Sequence, residues 1–393
     1  MQDNEKKPAL RFKGFTDPWE QRKFEEIAVR SSVMSDKKGL PRVEYEDIIS
    51  GAGRLNKDIK LKESEKVGIV FHKGDVLYGK LRPYLQNWLL ASFNGLAVGD
   101  FWVLQPQNTD SSFLYRLVQS QQFDGVANQS TGTKMPRADW KLVSKTKFAM
   151  PHSVDEQAAI GAYFEHLDTL ITLHQRKYEK LVNIKKSMLD KMFPQNGASV
   201  PEIRFKGFTD PWEQRKVGTL IEDYTEKTVT QNQYPVLTSS QQQGIVLQED
   251  YFADRQVTTD NNVGYYVLPK GYFTYRSRSD TDVFVFNRNN IVDKGIISYY
   301  YPVFAPKSCD SNFLLRRLNH GIKKQLSMAA EGTGQKVLAH AKFKNMVVDV
   351  PSQSEQEKIG TILEELDTLI TLHQRKLEKL QNIKKSCLEK MFV

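Results

Sequence analysis

A ten-residue segment that occurs twice constrains the fold of this chain more than any other feature. The segment DTLITLHQRK occupies Asp168–Lys177 and recurs letter for letter at Asp367–Lys376. The segment NIKKS follows each copy, at Asn183–Ser187 and again at Asn382–Ser386. The separation of the copies is far longer than the roughly 20–50-residue units of solenoid proteins. The repeat therefore predicts a chain built of two related halves.

Each copy lies in a stretch with the pattern of a long helix. Apolar residues recur at alternating steps of four and three, the period of a coiled-coil seam, and neither Pro nor Gly interrupts 162–193 or 361–393. A helix of about 35–39 residues would be roughly 50–60 Å long. We therefore predict that the two helices pair, although one helix packed on a globular core is an alternative. The predicted helix-pairing residues are Ile160, Phe164, Leu167, Ile171, Tyr178 and Leu181, with Ile359, Leu363, Leu366, Ile370, Leu377 and Leu380 in the second copy.

The charge is unevenly distributed along the chain. The formal net charge is +9 and the isoelectric point is about 9.2, yet each long helix holds equal numbers of acidic and basic residues. The positive excess therefore lies in the other parts, and it favours an acidic partner such as nucleic acid. Two cysteines and seven histidines show no metal-ligand spacing, and the absence of a signal peptide or an apolar span predicts a cytoplasmic protein.

The repeats divide the chain into five predicted segments. These are a first mixed domain (1–150), a long helix (151–194), a linker (195–203), a second mixed domain (204–350) and a second long helix (351–393). Both mixed domains open with the same thirteen residues, at Arg11–Lys23 and Arg204–Lys216. Asp17 before Pro18 has the pattern of a helix start. We interpret this segment as a contact that ties each domain to the helix pair.

Short β-branched and aromatic runs predict strands in both mixed domains. Examples are Val76–Tyr78 and Phe101–Leu104 in the first, and Tyr272–Tyr275 and Val283–Phe286 in the second. Asp110 and Asp310 are each followed by a segment with the pattern of a short capped helix. The predicted fold class is therefore α+β, with two similar mixed α/β domains.

One segment has the spacing of a nucleotide-binding loop without its chemistry. Gly74–Lys80 fits the pattern G-x4-G-K, but Leu81 stands where a Ser or Thr would hold magnesium. Pro83 would also interrupt the following helix. The segment favours a strand, and a nucleotide-using enzyme is only a minor alternative. No catalytic, cofactor-binding or metal-binding residue is predicted.

Two pairs of cations stand at matching places in the two domains. Lys80 with Arg82, and Arg276 with Arg278, would each project from one face of a strand. The loops Thr131–Lys134 and Thr333–Lys336 also match, and a Gly-rich loop with one Lys suits phosphate contacts. The candidate DNA-binding residues are Lys80, Arg82, Gln86, Lys134, Arg137, Ser239, Ser240, Gln241, Arg276, Arg278, Gln335 and Lys336.

With its repeated opening RFKGFTDPWE, its Glu156-Gln157 and Ile160-Gly161 pairs and its helices ending Lys-Met-Phe, the chain resembles the specificity subunit of type I restriction–modification systems. The resemblance implies two target-recognition domains, each reading one block of a bipartite site on double-stranded DNA. The different sequences of the two domains predict that this site is asymmetric. It also implies two long antiparallel helices that act as a spacer and dock two methyltransferase subunits, through which restriction subunits attach. S-adenosylmethionine, ATP and magnesium are then expected on those partners, which methylate adenine and cleave. A stand-alone DNA-binding protein is the alternative.

Overall fold

The structure is a computed structural model that describes residues 7–59, 64–129, 135–194, 198–252 and 261–392. The chain forms two compact units. Unit 1 comprises Met1–Arg176 and Gln374–Val393, and unit 2 comprises Lys177–His373. The division falls within both long helices, so each unit contains one mixed domain, the first part of one long helix and the last part of the other.

Unit 1 contains many short strands and short helices before the first long helix. Its strands are β1 (Glu20–Lys23), β2 (Ala28–Ser31), β3 (Met34–Ser35), β4 (Arg42–Val43), β5 (Ile48–Ile49), β6 (Arg54–Leu55), β7 (Gly68–Phe71), β8 (Val76–Gly79), β9 (Trp88–Leu90), β10 (Gly95–Ala97), β11 (Phe101–Pro106) and β12 (Lys147–Met150). Its helices are α1 (Phe24–Ile27), α2 (Ser111–Leu117), α3 (Gln121–Ala127) and α4 (Trp140–Lys145), followed by the long helix α5 (Val154–Lys191).

Unit 2 follows a related order. Its strands are β13 (Glu213–Lys216), β14 (Ile221–Tyr224), β15 (Leu237–Ser240), β16 (Gly244–Leu247), β17 (Tyr266–Pro269), β18 (Phe273–Tyr275), β19 (Arg278–Ser279), β20 (Phe286–Arg288), β21 (Lys294–Ile297), β22 (Val303–Pro306), β23 (Lys336–Val337) and β24 (Val347–Val350). Its helices are α6 (Gln248–Phe252), α7 (Ser311–Asn319), α8 (Lys323–Ala329) and α9 (His340–Asn345), followed by the long helix α10 (Gln353–Met391).

A four-stranded sheet of the same construction forms the centre of each unit. Its strand order is β2-β11-β8-β9 in unit 1 and β14-β22-β18-β20 in unit 2, with antiparallel neighbours throughout. A second four-stranded sheet, β3-β7-β10-β4, belongs to unit 1, whereas unit 2 has the separate pairs β15-β16, β17-β21 and β19-β23 in the described residues. The predicted α+β class is confirmed, and the two mixed domains share their central sheet but differ in the second sheet of unit 1, for which unit 2 has the separate strand pairs.

The predicted long helices are present as α5 and α10, and within unit 1 the first part of α5 runs antiparallel to the last part of α10. In unit 1 the Asp168 carboxylate contacts Lys384, and the Tyr163 hydroxyl lies 3.7 Å from the Cys387 sulfur. The first three positions of each predicted seam are buried in the core of their own unit, beside apolar residues from the end of the opposite helix. The later seam positions Ile171, Tyr178, Leu181, Ile370, Leu377 and Leu380 are only partly buried.

The repeated opening segment forms a strand rather than the predicted helix start. Glu20–Lys23 pairs with Lys147–Met150 antiparallel, and Glu213–Lys216 pairs with Val347–Val350 in the same register. The prediction from Asp17 and Pro18 was wrong, because hydrogen bonds to a distant strand outweigh a local capping pattern. The other predicted strands are present with shifted ends; of Val283–Phe286 only Phe286 is in a strand.

The segment does tie each mixed domain to a long helix. The Arg11 guanidinium donates to both carboxylate oxygens of Glu156 at 2.6 and 2.7 Å, and Arg204 makes the same fork on Glu355 at 2.7 and 2.7 Å. Paired hydrogen bonds between Arg and a carboxylate fix orientation as well as distance. This contact, made twice, fixes the orientation of each mixed domain on its long helix.

The glutamine that follows each of these glutamates connects the long helix to a short helix of the same unit, α2 or α7. Gln157 accepts from the backbone N–H of Asp110 at 2.9 Å, and Gln356 accepts from that of Asp310 at 3.0 Å. Each Asp then caps its helix, as predicted, by accepting from backbone N–H groups of the first turn.

Candidate nucleic-acid interface

The candidate residues of unit 2 come together around one cleft. Ser239, Ser240 and Gln241, at the turn of the β15-β16 hairpin, line a cavity of about 490 Å³ together with Arg276 and Arg278. These residues lie far apart in the sequence. The cleft thus combines two cations with hydroxyl and amide groups, the side-chain types that contact phosphates and base edges.

An aspartate and an aromatic ring hold the polar groups of this cleft. Arg276 Nη2 lies 3.8 Å from Asp280 Oδ2, and Gln335 Nε2 donates to Asp280 Oδ1 at 2.9 Å. The Arg278 guanidinium lies over the Tyr300 ring, 4.4 Å from its centre. Lys336 lies next to this group, because its strand pairs with that of Arg278.

The hairpin of the cleft is held by a residue that the sequence did not single out. The Asn287 amide donates to the Ser239 hydroxyl and to the Ser240 carbonyl, both at 2.8 Å. The Ser240 hydroxyl accepts from the backbone N–H groups of Gln242 and Gln243. Ser240 is only 6% exposed. Ser240 therefore shapes the turn, whereas Ser239 and Gln241 are the more accessible of the three.

Two candidates of unit 1 converge on a different carboxylate. Lys80 Nζ lies 3.5 Å from Asp100 Oδ1, and Arg137 Nη2 lies 3.0 Å from Asp100 Oδ2. The backbone supports this arrangement, since Ala138 N–H donates to the Lys80 carbonyl at 2.8 Å. Two cations from distant segments are thus fixed on one anion.

A partly buried tyrosine, Tyr45, supports the same site. The Tyr45 hydroxyl donates to the Asp100 carbonyl at 2.6 Å and accepts from the Leu81 N–H at 2.9 Å. Burial raises the pKa of the Tyr45 hydroxyl, so it stays protonated and can donate at all physiological pH values.

The predicted strand geometry of the cation pairs was wrong. Strand β8 ends at Gly79, and Arg82 has a φ of +50°, in the left-handed region, before a short 3₁₀ helix that begins at Pro83. In unit 2, β18 ends at Tyr275 and Arg278 belongs to another strand. In unit 1 the left-handed turn and the proline end the strand alternation, and in unit 2 Arg276 follows one strand while Arg278 begins another, so neither pair shares one strand face.

Comparison with known proteins finds one family that matches the chain twice, once in each half. The sequence matches the family described as "Type I restriction modification DNA specificity domain" over residues 16–183 and again over 210–382. The chain belongs to this family. Each match covers one mixed domain and most of the long helix that follows it.

Individual relatives are distant. The sequence is 25% identical over 127 residues to the Type I restriction enzyme EcoDI specificity subunit of Escherichia coli, and 23% identical over 289 residues to the MjaVIII specificity subunit of Methanocaldococcus jannaschii. These matches cover 31% and 66% of this chain, and the chain spans 28% and 64% of the length of those relatives. The structure of the type I restriction–modification S subunit from M. genitalium covers 98% of this chain and 99% of its own, with a TM-score of 0.56 at 13% identity. That likeness shows a common fold.

Two candidates of the first specificity domain lie outside the Asp100 cluster. Gln86, with a φ of +56°, lines a separate cavity of about 620 Å³ with Arg54, Trp88 and residues of α5 and α10. The Arg82 N–H donates to the Pro136 carbonyl at 2.7 Å, which places the Arg82 backbone beside Arg137. Lys134, with its loop, lies outside the described residues.

The segment Gly74–Lys80 is not a phosphate-binding loop in this fold. Val76–Gly79 is the buried strand β8, and a Cβ at Gly79 would lie 2.9 Å from the Asn87 carbonyl oxygen. Among the described residues, no three His, Cys, Asp or Glu side chains converge to hold a metal ion, and no helix has the length and apolar character of a membrane span.

Four residues that hold the predicted cations and amides in place were not predicted from the sequence: Asp100, Asp280, Asn287 and Tyr45. The sequence did offer a signal for Asp280, because it follows Arg276 by four residues and could pair with it. Asp100 and Tyr45 had no such signal, because their partners are distant in sequence and meet only in the folded specificity domain.

Proposed function

We propose that this chain is the non-catalytic DNA-recognition subunit of a type I restriction–modification complex. It would recognise an asymmetric bipartite site on double-stranded DNA in the cytoplasm. The supporting observation is that each unit gathers polar side chains from distant segments into one cluster, which holds two cations in unit 1 and cations with amides in unit 2. Arg, Lys and Gln are the side chains that contact phosphates and read base edges in the grooves of DNA.

The two clusters differ, and this difference supports an asymmetric target. Lys80 and Arg137 meet on Asp100 in unit 1, whereas unit 2 combines Arg276 with Gln335 on Asp280. Two identical recognition surfaces would favour a palindromic site, because site symmetry mirrors protein symmetry. Unlike surfaces are expected to read two unlike blocks.

The outer faces of the long helices supply a docking surface for partners. Leu173 and Leu372 stand at the same position of the repeated ten-residue segment, and both are exposed. Exposed apolar residues grouped with others, such as Leu369, mark interaction surfaces. We assign this surface to two methyltransferase subunits, one for each copy. Those subunits would bring S-adenosylmethionine and methylate adenine, and restriction subunits would use ATP and magnesium to cleave.

The target is tested by mapping methylated adenines. The chain is co-expressed with the methyltransferase of its own system in a host that lacks adenine methylation, and the genome is sequenced at single-molecule level. We expect two unlike blocks separated by unspecified bases. Arg276→Ala should weaken or change the second block only, and Arg137→Ala the first only. Lys180→Ala, an exposed cation of α5, is the matched control and should change neither block.

Three results would contradict the proposal. A palindromic target would contradict the asymmetry. An equal loss from Lys180→Ala and Arg276→Ala would show that recognition does not lie in the mixed domains. Methylation at the same sites in cells that lack this chain would show that the chain is not needed for target recognition.

The docking assignment has its own test. Leu173→Asp together with Leu372→Asp should abolish co-purification of the methyltransferase, because an aspartate in an apolar interface loses its hydration without gaining a partner. Lys180→Asp, an exposed change on the same helix, should retain the partner. Retention by the double leucine variant would contradict the assignment.

A further inference from the structure

A carboxylate stands at the centre of the cationic group of unit 1. Asp100 receives Lys80 on one oxygen at 3.5 Å and Arg137 on the other at 3.0 Å. Its carbonyl accepts from the Lys80 N–H at 2.9 Å and from the Tyr45 hydroxyl at 2.6 Å. The backbone of Asp100 is therefore fixed, while its side chain remains 29% exposed on the surface that we assign to DNA.

Unit 2 has a counterpart built from different elements. Asp280 contacts Arg276 at 3.8 Å and accepts from Gln335 at 2.9 Å. Its side chain is more exposed, at 65%, so water weakens its pairing more than that of Asp100. An anion at the centre of the candidate DNA-binding residues is thus present in both units, although the surrounding residues differ.

An anion in this place works against phosphate binding. Contacts between cations and phosphates supply nearly all of the sequence-independent affinity for DNA. A carboxylate beside those cations competes for them and repels the phosphate. Specificity is a difference between affinities, and a repulsive element that lowers binding to the wrong partner increases it.

We propose that Asp100 is a specificity-determining residue of the first recognition surface. Its carboxylate holds Lys80 and Arg137 and opposes their pairing with phosphate, so that DNA without the first block binds weakly. It also keeps the Arg137 side chain ordered, which reduces the entropy lost when that side chain meets a base edge. This inference rests on the proposed DNA-recognition function, and it extends to Asp280 and the second block.

The expected effect follows from the strength of two partly exposed ion pairs. Removing the negative charge should raise the affinity for unrelated DNA by about 2- to 30-fold, the equivalent of two such pairs. The affinity for DNA that carries the site should rise less, so the ratio of the two affinities should fall. The dependence of binding on salt should become steeper by about one to two units, because each cation that gains a phosphate releases counterions.

The experiment compares Asp100→Asn with wild type in the full-length chain, purified with its co-expressed methyltransferase. Binding is measured by fluorescence anisotropy at several salt concentrations, on one duplex with the mapped site and one duplex without it. The matched control is Glu25→Gln, which removes the same charge from a partly exposed carboxylate of unit 1 that pairs with Lys145 at 3.0 Å. We expect tighter binding to the unrelated duplex from Asp100→Asn and no such change from Glu25→Gln.

A second variant and a second readout separate charge from structure. Asp100→Glu keeps the charge, so it should keep binding to the unrelated duplex weak even where the longer side chain lowers stability. Methylome mapping of Asp100→Asn should show additional sites with changes in the first block only, and Asp280→Asn should show them in the second block only.

Two outcomes would overturn the inference. Equal binding by Asp100→Asn and Glu25→Gln would show that the position of the charge is unimportant. A loss of binding to the mapped site without a gain on unrelated DNA would show that Asp100 accepts a hydrogen bond from a base. In either case Arg137→Ala should still weaken binding, because the proposed DNA-recognition function does not depend on this inference. If the wild-type chain binds neither duplex, the proposed function itself is wrong.

Discussion

Substituting Asp168 by Asn should destabilise unit 1 selectively. Asp168 is the first residue of the repeated ten-residue segment, and its carboxylate joins two cations from different elements. Arg116 Nη1 of α2 lies 2.8 Å from one oxygen, and Lys384 Nζ of α10 lies 2.7 Å from the other. Asn keeps the shape of the side chain but removes the charge that both cations share.

The magnitude depends on the burial of Arg116. Its side chain is only 4% exposed, and its guanidinium lies against the Tyr115 and Phe164 rings at 4.7 and 5.5 Å. Leaving a fully buried charge without its partner costs about 3–5 kcal/mol. Asp168 is 30% exposed, so water already screens part of the pair, and we expect a loss of about 2–3 kcal/mol.

Tryptophan fluorescence can assign the loss to a unit. Trp212 is the only one of the five tryptophans that belongs to unit 2. In a Trp212→Phe background, unfolding in urea followed by fluorescence therefore reports on unit 1. The midpoint should fall by about 1 M urea, taking a slope of roughly 2–3 kcal/mol/M.

Glu165→Gln is the matched control for this substitution, because it removes the same charge from an exposed position of the same helix. Its effect should stay within about 0.5 kcal/mol. Equal midpoints for Asp168→Asn and Glu165→Gln would refute the assignment of the stabilising role to the buried pair.

Three further predictions concern single positions. Gly161→Ala should destabilise unit 1 by about 1–3 kcal/mol in urea, because its Cβ would lie 1.6 Å from the Ser112 hydroxyl, whereas Gly125→Ala, with open space around it, should stabilise it slightly. Burial raises the pKa of the Cys309 thiol to about 12, so iodoacetamide at pH 8 should label it in urea but not in the native protein, as mass spectrometry can establish. Although burial alone would raise it, hydrogen bonds from neighbouring lysine and histidine side chains bring the pKa of Asp223 below its ordinary value of 3.8. The stability that Asp223 contributes is therefore present above that value and lost as the pH falls through the lower folded pKa, and Asp223→Asn should flatten this loss in acid denaturation.

Features with a local cause could be predicted from the sequence. The seam of apolar residues and the lack of Pro and Gly predicted both long helices, and α5 and α10 end close to the expected positions. Asp110 and Asp310 cap their helices as predicted, because capping needs only the backbone of the next turn. The side-chain pattern within one segment sufficed in each case.

Features that depend on distant partners could not be predicted in the same way. The segment Glu20–Lys23 has a helix-start pattern before it, but it becomes a strand because Lys147–Met150 offers a full set of hydrogen bonds. The cluster around Asp100 joins distant residues that the sheet, the Tyr45 hydroxyl and backbone hydrogen bonds to Ala138 and Arg82 bring together. The sequence could nominate Lys80 and Arg137 as cations, but not the carboxylate between them.

The residues that are identical between the two halves have a different structural role from those that differ. Identical residues sit where the same contact is made twice, between a mixed domain and its helices. The repeated contacts are Arg11 with Glu156 and Arg204 with Glu355, Asp110 with Gln157 and Asp310 with Gln356, and Arg116 with Asp168 and Arg316 with Asp367. The residues around Asp100 and Asp280 lie between these identical segments, and they differ.

Because the contacts that set domain orientation are shared and the groups that face the proposed DNA surface are not, a change of recognition residues in one unit need not disturb the anchoring of either. This separation is the physical reason to expect that each unit can acquire its own target sequence on a common scaffold.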